Sequence, residues 1–127
     1  MLRKLYNWLA GVEPLPVDEK LALKVMLKER EIGRLIAEKG EWFFSYSDDF
    51  RKQSEIKPIA DFPDVTRQYR SRSLWPFFAL RIPSPEQPAV REFIQSQPQA
   101  KADEGLLLKE FGERTIANPF RLVPIQS

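Results

Sequence analysis

The sequence predicts an α+β fold: a small curved antiparallel sheet, built as a meander, packed against two C-terminal helices, with an appended N-terminal amphipathic helix. Three observations carry this. Residues 21–46 alternate apolar and polar side chains in short runs separated by tight polar turns, as strands with one buried face do. After residue 84, and again after 103, the spacing becomes helical behind capping residues. The 127 residues, 43% of them apolar, fill one core of ordinary size and leave no material for a second.

In order along the chain, Leu2, Leu5, Tyr6 and Leu9 fall at i, i+3, i+4 and i+7, a short amphipathic helix that Gly11 can close. Pro14 and Pro16 set it apart, so residues 1–20 read as a helix and Pro-rich linker and residues 21–127 as the domain proper. Leu21, Leu23, Val25 and Leu27 then alternate with Ala22, Lys24, Met26 and Lys28 to give a first strand. Lys28 to Glu31 turn the chain into a second strand, EIGRLIAE. Glu38-Lys39-Gly40-Glu41 turns it into a third, WFFSYS, with Trp42, Phe44 and Tyr46 on one face. The sheet is expected to supply Val25, Leu27, either Ile32 or Leu35, and Phe44 to the core.

Ser47 can cap a short helix whose first turn carries Asp48 and Asp49, both favourable at the positive end of a helix dipole. The stretch from Gln53 to Pro76 has no period and reads as a long loop with one short strand. Ser84-Pro85-Glu86-Gln87 has the form of a capping box, leading into a helix with Val90, Phe93 and Ile94 on one face and Pro98 at its end. Asp103 can cap the last helix, where Leu107 and Leu108 pair with Phe111 and Gly112 falls at the C′ position. Phe93, Ile94, Leu107 and Phe111 are the helices' expected core residues. The final FRLVPI reads as an edge strand or docked tail, since Pro124 cannot donate to a ladder.

The chemistry search excludes more than it finds. With no Cys and no His, the chain has no disulfide, no thiolate or imidazole metal ligand, no Cys nucleophile and no His relay. Its five glycines, at 11, 33, 40, 105 and 112, form neither a dinucleotide nor a P-loop fingerprint. The pairs Asp48/Asp49 and Asp103/Glu104 each begin a predicted helix, where capping accounts for them. A non-catalytic protein with no cofactor and no metal is expected. Twenty basic against eighteen acidic residues leave a net charge of +2, too little for strong nucleic-acid binding. No apolar run reaches the roughly 20 residues a membrane span needs, and Asn7 and Trp8 stand where a signal peptide would need an unbroken apolar stretch. A cytoplasmic location is the expectation.

One cluster invites a binding role. TRQYRSRS places Arg67, Arg70 and Arg72 around Tyr69, and Trp75-Pro76-Phe77-Phe78 follows directly. Arginine and Trp are enriched where interface energy concentrates, so Trp75, Arg67, Tyr69, Arg70 and Arg72 are the expected partner-binding residues, against the alternatives of a solvated loop and a core Trp. Phe77 and Phe78 read as core anchors.

Three segments resemble the N-terminal subdomain of HipA-type serine/threonine kinases. KVMLKEREIGRLIAEKGEWFFSYSDDF carries Gly33, Leu35, Phe44 and Tyr46 where the family has its vGxL and F-x-Y strands. PFFALRIPS matches the FF-x-x-LLPE segment at Phe77, Phe78 and Pro83, and LLLKEFGERTIANP matches LL-x-x-x-G-x-x-x-x-GA at Leu107, Leu108 and Gly112. The chain departs from that pattern at Leu80 and Arg81, where a polar residue and Leu are usual, at Ser84 for Glu, and at Asn118-Pro119 for Gly-Ala. The subdomains that would bind ATP and transfer phosphate are expected to be absent. The resemblance extends to the HipS-like antitoxins of tripartite HipBST toxin-antitoxin modules, in which the kinase, HipT, lacks this subdomain. It implies an antitoxin that binds and inhibits a HipT/HipA-like kinase, with a HipB-like DNA-binding protein as a further member of the complex. The alternatives are a nucleic-acid-binding accessory of a repressor complex and an activating subunit of a split HipA-like kinase. No direct strong nucleic-acid binding and no membrane association are expected.

Overall fold

The alternating runs form the meander they predict. In the computed structural model, which describes residues 21–98 and 103–125, β1 (Leu21–Leu27), β2 (Arg30–Glu38) and β3 (Glu41–Tyr46) pair antiparallel in succession. Lys39 and Gly40, between β2 and β3, have φ of 53° and 79°. Left-handed conformation at both central positions gives the turn whose twist suits two right-twisted strands. A short β4 (Tyr69–Ser71) joins the edge at β3, and β5 (Arg121–Pro124) joins the edge at β1, giving the order β4-β3-β2-β1-β5. The C-terminal segment is therefore an edge strand, with Pro124 at its end opposite Leu23.

Ile32 and Leu35, three residues apart, would face opposite sides of a regular strand, yet both are buried. Val25 lies opposite Gly33 while Met26 lies opposite Glu31, so Ile32 is the extra residue of a β-bulge. The bulge turns the strand and brings both side chains inward, which corrects the expectation of one or the other.

Four helices are described: α1 (Asp48–Lys52), α2 (Pro76–Ala79), α3 (Pro88–Ser96) and α4 (Glu104–Phe111). Ser47 Oγ accepts from the Phe50 amide and Asp103 Oδ1 from the Leu106 amide, the caps predicted for α1 and α4. The capping box at Ser84 does not form. A helix begun there would need residue 88 to donate to the Ser84 carbonyl, and Pro88 has no N–H. Instead Ser84 closes a turn, accepting from the Glu86 and Gln87 amides, and α3 starts at Pro88 behind Gln87. Gly112 is also not the left-handed C′ residue expected, because its φ is −93°. It is needed for space: a Cβ would lie 2.6 Å from both the side chain and the carbonyl oxygen of Leu108.

The core forms on the sheet face that carries Leu23, Val25, Leu35, Phe44 and Tyr46, all buried. Phe44 stacks on Phe62 at 4.3 Å between centroids, and both rings tilt against Phe78. Leu108 of α4 and Leu122 of β5 close this cluster, while Leu27 only borders it. Of the predicted helical core residues, Leu107 is buried with Val90 in a smaller satellite, where the half-buried Phe93, Ile94 and Phe111 pack. No helix among the described residues is long and apolar enough to cross a membrane. The predicted helix and linker of residues 1–20 lie outside the described residues.

Candidate partner-binding surface

The loop between α1 and β4 lacks a period because its order comes from side chains fixed by distant partners. Tyr46, at the end of β3, donates from its hydroxyl to the Phe62 carbonyl at 2.7 Å and accepts from the Ile59 amide at 2.8 Å. Burial pushes its phenol up to about 12. Gln53 clasps Ile56 through both its amide nitrogen and oxygen, and Asp61 Oδ2 accepts from the Phe77 amide at the start of α2. The loop thus sets Ile59 and Phe62 into the core and leaves the segment behind them as a formed edge.

On that edge the five predicted binding residues take different positions. Tyr69 is buried edge-on against Phe62, and its hydroxyl accepts from the Asp64 amide at 2.8 Å. Arg67 is exposed, with its guanidinium carbon 4.9 Å from the Tyr69 ring centroid. Trp75 also meets Phe62 edge-on, at 5.0 Å, and stays partly exposed as the residue preceding α2. Tyr69 and Trp75 therefore both meet Phe62, and Arg67 joins them through the Tyr69 ring. Arg70 is not among them, because the strand's alternation turns it to the other face, where Nη2 meets Glu41 at 3.0 Å and the guanidinium lies over Phe43. Arg72 follows β4, exposed and without an ion pair among the described residues.

Two residues that sequence reading passed over stand out in space. Leu80, just after α2, is 51% exposed, and Ile116, in the loop between α4 and β5, is 106% exposed. The available signal was an apolar residue inside the polar run GERTIANP, outside any helical or strand period. Next to Leu80 in the chain, Arg81 is only 4% exposed, bonded through Nη1 to the Gly112 and Glu113 carbonyls and through Nη2 to Asn118 Oδ1. No carboxylate faces this guanidinium among the described residues, its Nε has no partner, and burial pushes it down to about 10.

A cleft of about 360 Å³ between the β1–β2 turn and α1 is lined by Glu29, Arg30, Glu31, Ser47, Asp48 and Asp49. Glu31 pairs with Arg34 and Asp48 with Arg51, so the predicted carboxylate pair of α1 serves helix and ion-pair roles. No group of three or more His, Cys, Asp or Glu side chains among the described residues is placed to hold a metal ion.

The fold and these surfaces define a small α+β domain on an open five-stranded antiparallel sheet, whose order lies in its aromatic core. Within that class, the family model described as the HipA N-terminal domain matches residues 23–117, and the chain belongs to that family. A solved structure titled "N-terminal domain of HipA toxin" shares the fold, with a TM-score of 0.56 at 18% identity over 84% of this chain and 94% of that one. No curated protein matches. The residues carrying the resemblance are structural: Gly33 faces Tyr46 where a Cβ would lie 2.5 Å from the Ser45 carbonyl, and Phe44, Tyr46, Phe78 and Leu108 are buried.

Proposed function

We propose that this domain acts as a HipS-like antitoxin, binding a HipA-like serine/threonine kinase that lacks the corresponding subdomain and holding it inactive. The observation that supports the reading is the family match over residues 23–117 in a sequence with no phosphate-cradling Gly loop, no His and no Cys. A domain with the shape of a kinase's own subdomain carries a surface complementary to the kinase body, and inhibition by occupancy needs no chemistry. The contact is proposed to centre on Trp75 with Arg67 and Arg72, supported from behind by Tyr69, while Arg70 acts through its pairing with Glu41 at the border. A HipB-like DNA-binding protein completes the complex.

The test is titration of the chain into a HipA-like kinase expressed without its N-terminal domain, followed by autophosphorylation. Saturable binding with loss of activity is the expected result. Binding with a gain of activity would replace the antitoxin with an activating subunit, and absence of binding would end the reading. Truncating an interface Trp costs on the order of 2 to 4 kcal/mol of binding, so Trp75→Ala is expected to weaken the complex about 30-fold or more.

A further inference from the structure

The described helices cover one side of the sheet. α1, α2 and α4 place Phe50, Phe78 and Leu108 in the core with Phe44, and the buried Val90 of α3 joins Leu107 of α4 in the satellite. The opposite side carries an apolar row. Strand register sets Ala22 beside Ile36 and Ile36 beside Phe43, while Ile125, just past β5, donates its amide to the Ala22 carbonyl at 2.9 Å. These residues alternate with the core-facing Leu23, Leu35 and Phe44, and none of the four belongs to the core or packs against it. All four are only half-buried. The Arg70 guanidinium over Phe43 ends the row at β4. By the same alternation, Glu38 and Glu41 flank the row on one side and Lys24 and Arg34 on the other.

We propose that the segment from Leu2 to Leu9 docks on this row as an amphipathic helix and covers it. The inference makes no use of the kinase reading. Residues 1–20, outside the described residues, join the sheet at Leu21, one residue before Ala22 of the row. The stripe Leu2, Leu5, Tyr6 and Leu9 would be about 10 Å long as a helix, and the row crosses three strand spacings, about 14 Å. Ala10 to Lys20 reach about 36 Å when extended, so the connection is long enough to return the stripe to the row. Charge agrees with this occupant. Glu38 has no ion pair among the described residues, and in a helix Arg3 borders the stripe on one edge and Trp8 on the other. Arg3 therefore goes to the Glu38 side and the Trp8 ring to the Lys24 side, where a cation favours its face. A second copy is the poorer occupant, because a tethered segment competes at an effective concentration in roughly the millimolar range.

The chain has no Cys, so a single introduced thiol reports its own surroundings. Ile36→Cys and, separately, Phe43→Cys are made in the full chain, with and without Leu5→Ser plus Leu9→Ser, and their reaction with a thiol reagent is timed. Ser73→Cys, at an exposed position after β4, is the control. Both sheet thiols are expected to react about tenfold more slowly with Leu5 and Leu9 in place than without them, at every protein concentration, while the control reacts equally in both. Equal rates at the sheet thiols overturn the inference. Protection that grows with protein concentration assigns the face to a second copy and overturns it too, as does loss of the cooperative thermal transition in the Leu5→Ser, Leu9→Ser chain, which would place the segment in the core. Should a thiol variant fail to fold, the native sheet is read with an apolar fluorescent dye: the Leu5→Ser, Leu9→Ser chain is expected to bind more of it than the parent, and equal binding overturns the inference.

Discussion

Arg81 donates from Nη2 to Asn118 Oδ1 at 2.8 Å, joining the segment after α2 to the loop before β5. The Arg81 guanidinium brings a charge into the interior, and Asn118 supplies an acceptor for it. Each side chain depends on the other. A buried guanidinium without acceptors is costly, and the Asn118 side chain would lose its strongest donor.

The pair should therefore behave non-additively. Asn118→Ala is expected to cost about 1 to 3 kcal/mol, since it strips a partner from a buried cation and from the Phe120 amide. In an Arg81→Leu background the same change should cost less than half as much, because only the Phe120 amide is then left unserved. A double-mutant cycle by denaturant unfolding measures the difference, and equal costs in the two backgrounds would contradict it.

Tyr46 gives a pH-dependent prediction. Its phenol sits near 12 in the fold against an ordinary value near 10. Between those values the unfolded chain ionises while the native one keeps its proton, so the contribution is complete below about pH 10 and is lost as pH rises toward 12. Tyr46→Phe leaves the Ile59 amide and Phe62 carbonyl unpaired and is expected to cost about 1 to 3 kcal/mol at neutral pH. That cost should shrink between pH 10 and 12 in parallel unfolding curves.

Two glycines separate space from conformation. At Gly33 a Cβ would meet the Ser45 carbonyl oxygen at 2.5 Å and the Phe44 ring at 2.9 Å, so Gly33→Ala is expected to cost about 2 to 3 kcal/mol by forcing β2 from β3. At Gly40 nothing lies within 4 Å, and φ is 79°. Gly40→Ala therefore bears only the left-handed penalty, about 1 kcal/mol. Similar midpoints for the two variants would refute the distinction.

Salt dependence separates the arginines. Arg67 and Arg72 are exposed, whereas Arg70 already pairs with Glu41. Arg67→Ala and Arg72→Ala are expected to slow association with the kinase body and weaken its dependence on ionic strength, more than Arg70→Ala does. Stopped-flow association rates at two salt concentrations decide it.

The meander, the long loop with its short strand, the caps at Ser47 and Asp103 and the family were legible in consecutive residues, because alternation, capping and turn chemistry are local. Composition alone also excluded imidazole and thiol chemistry. That Ile32 and Leu35 share the core emerges only from the folded chain, since a bulge is a property of two paired strands. The same holds for Pro88, whose missing N–H moved the start of α3, and for Gly112, whose requirement is room beside Leu108. The candidate surface shows the limit most clearly: Tyr69 and Trp75 were legible as residues, but Phe62, which both of them meet edge-on, lies in an aperiodic loop held by Tyr46. Arg81 and Asn118, 37 positions apart, carry no local signal of their pairing, because the energy that joins them exists only once burial has removed water from both.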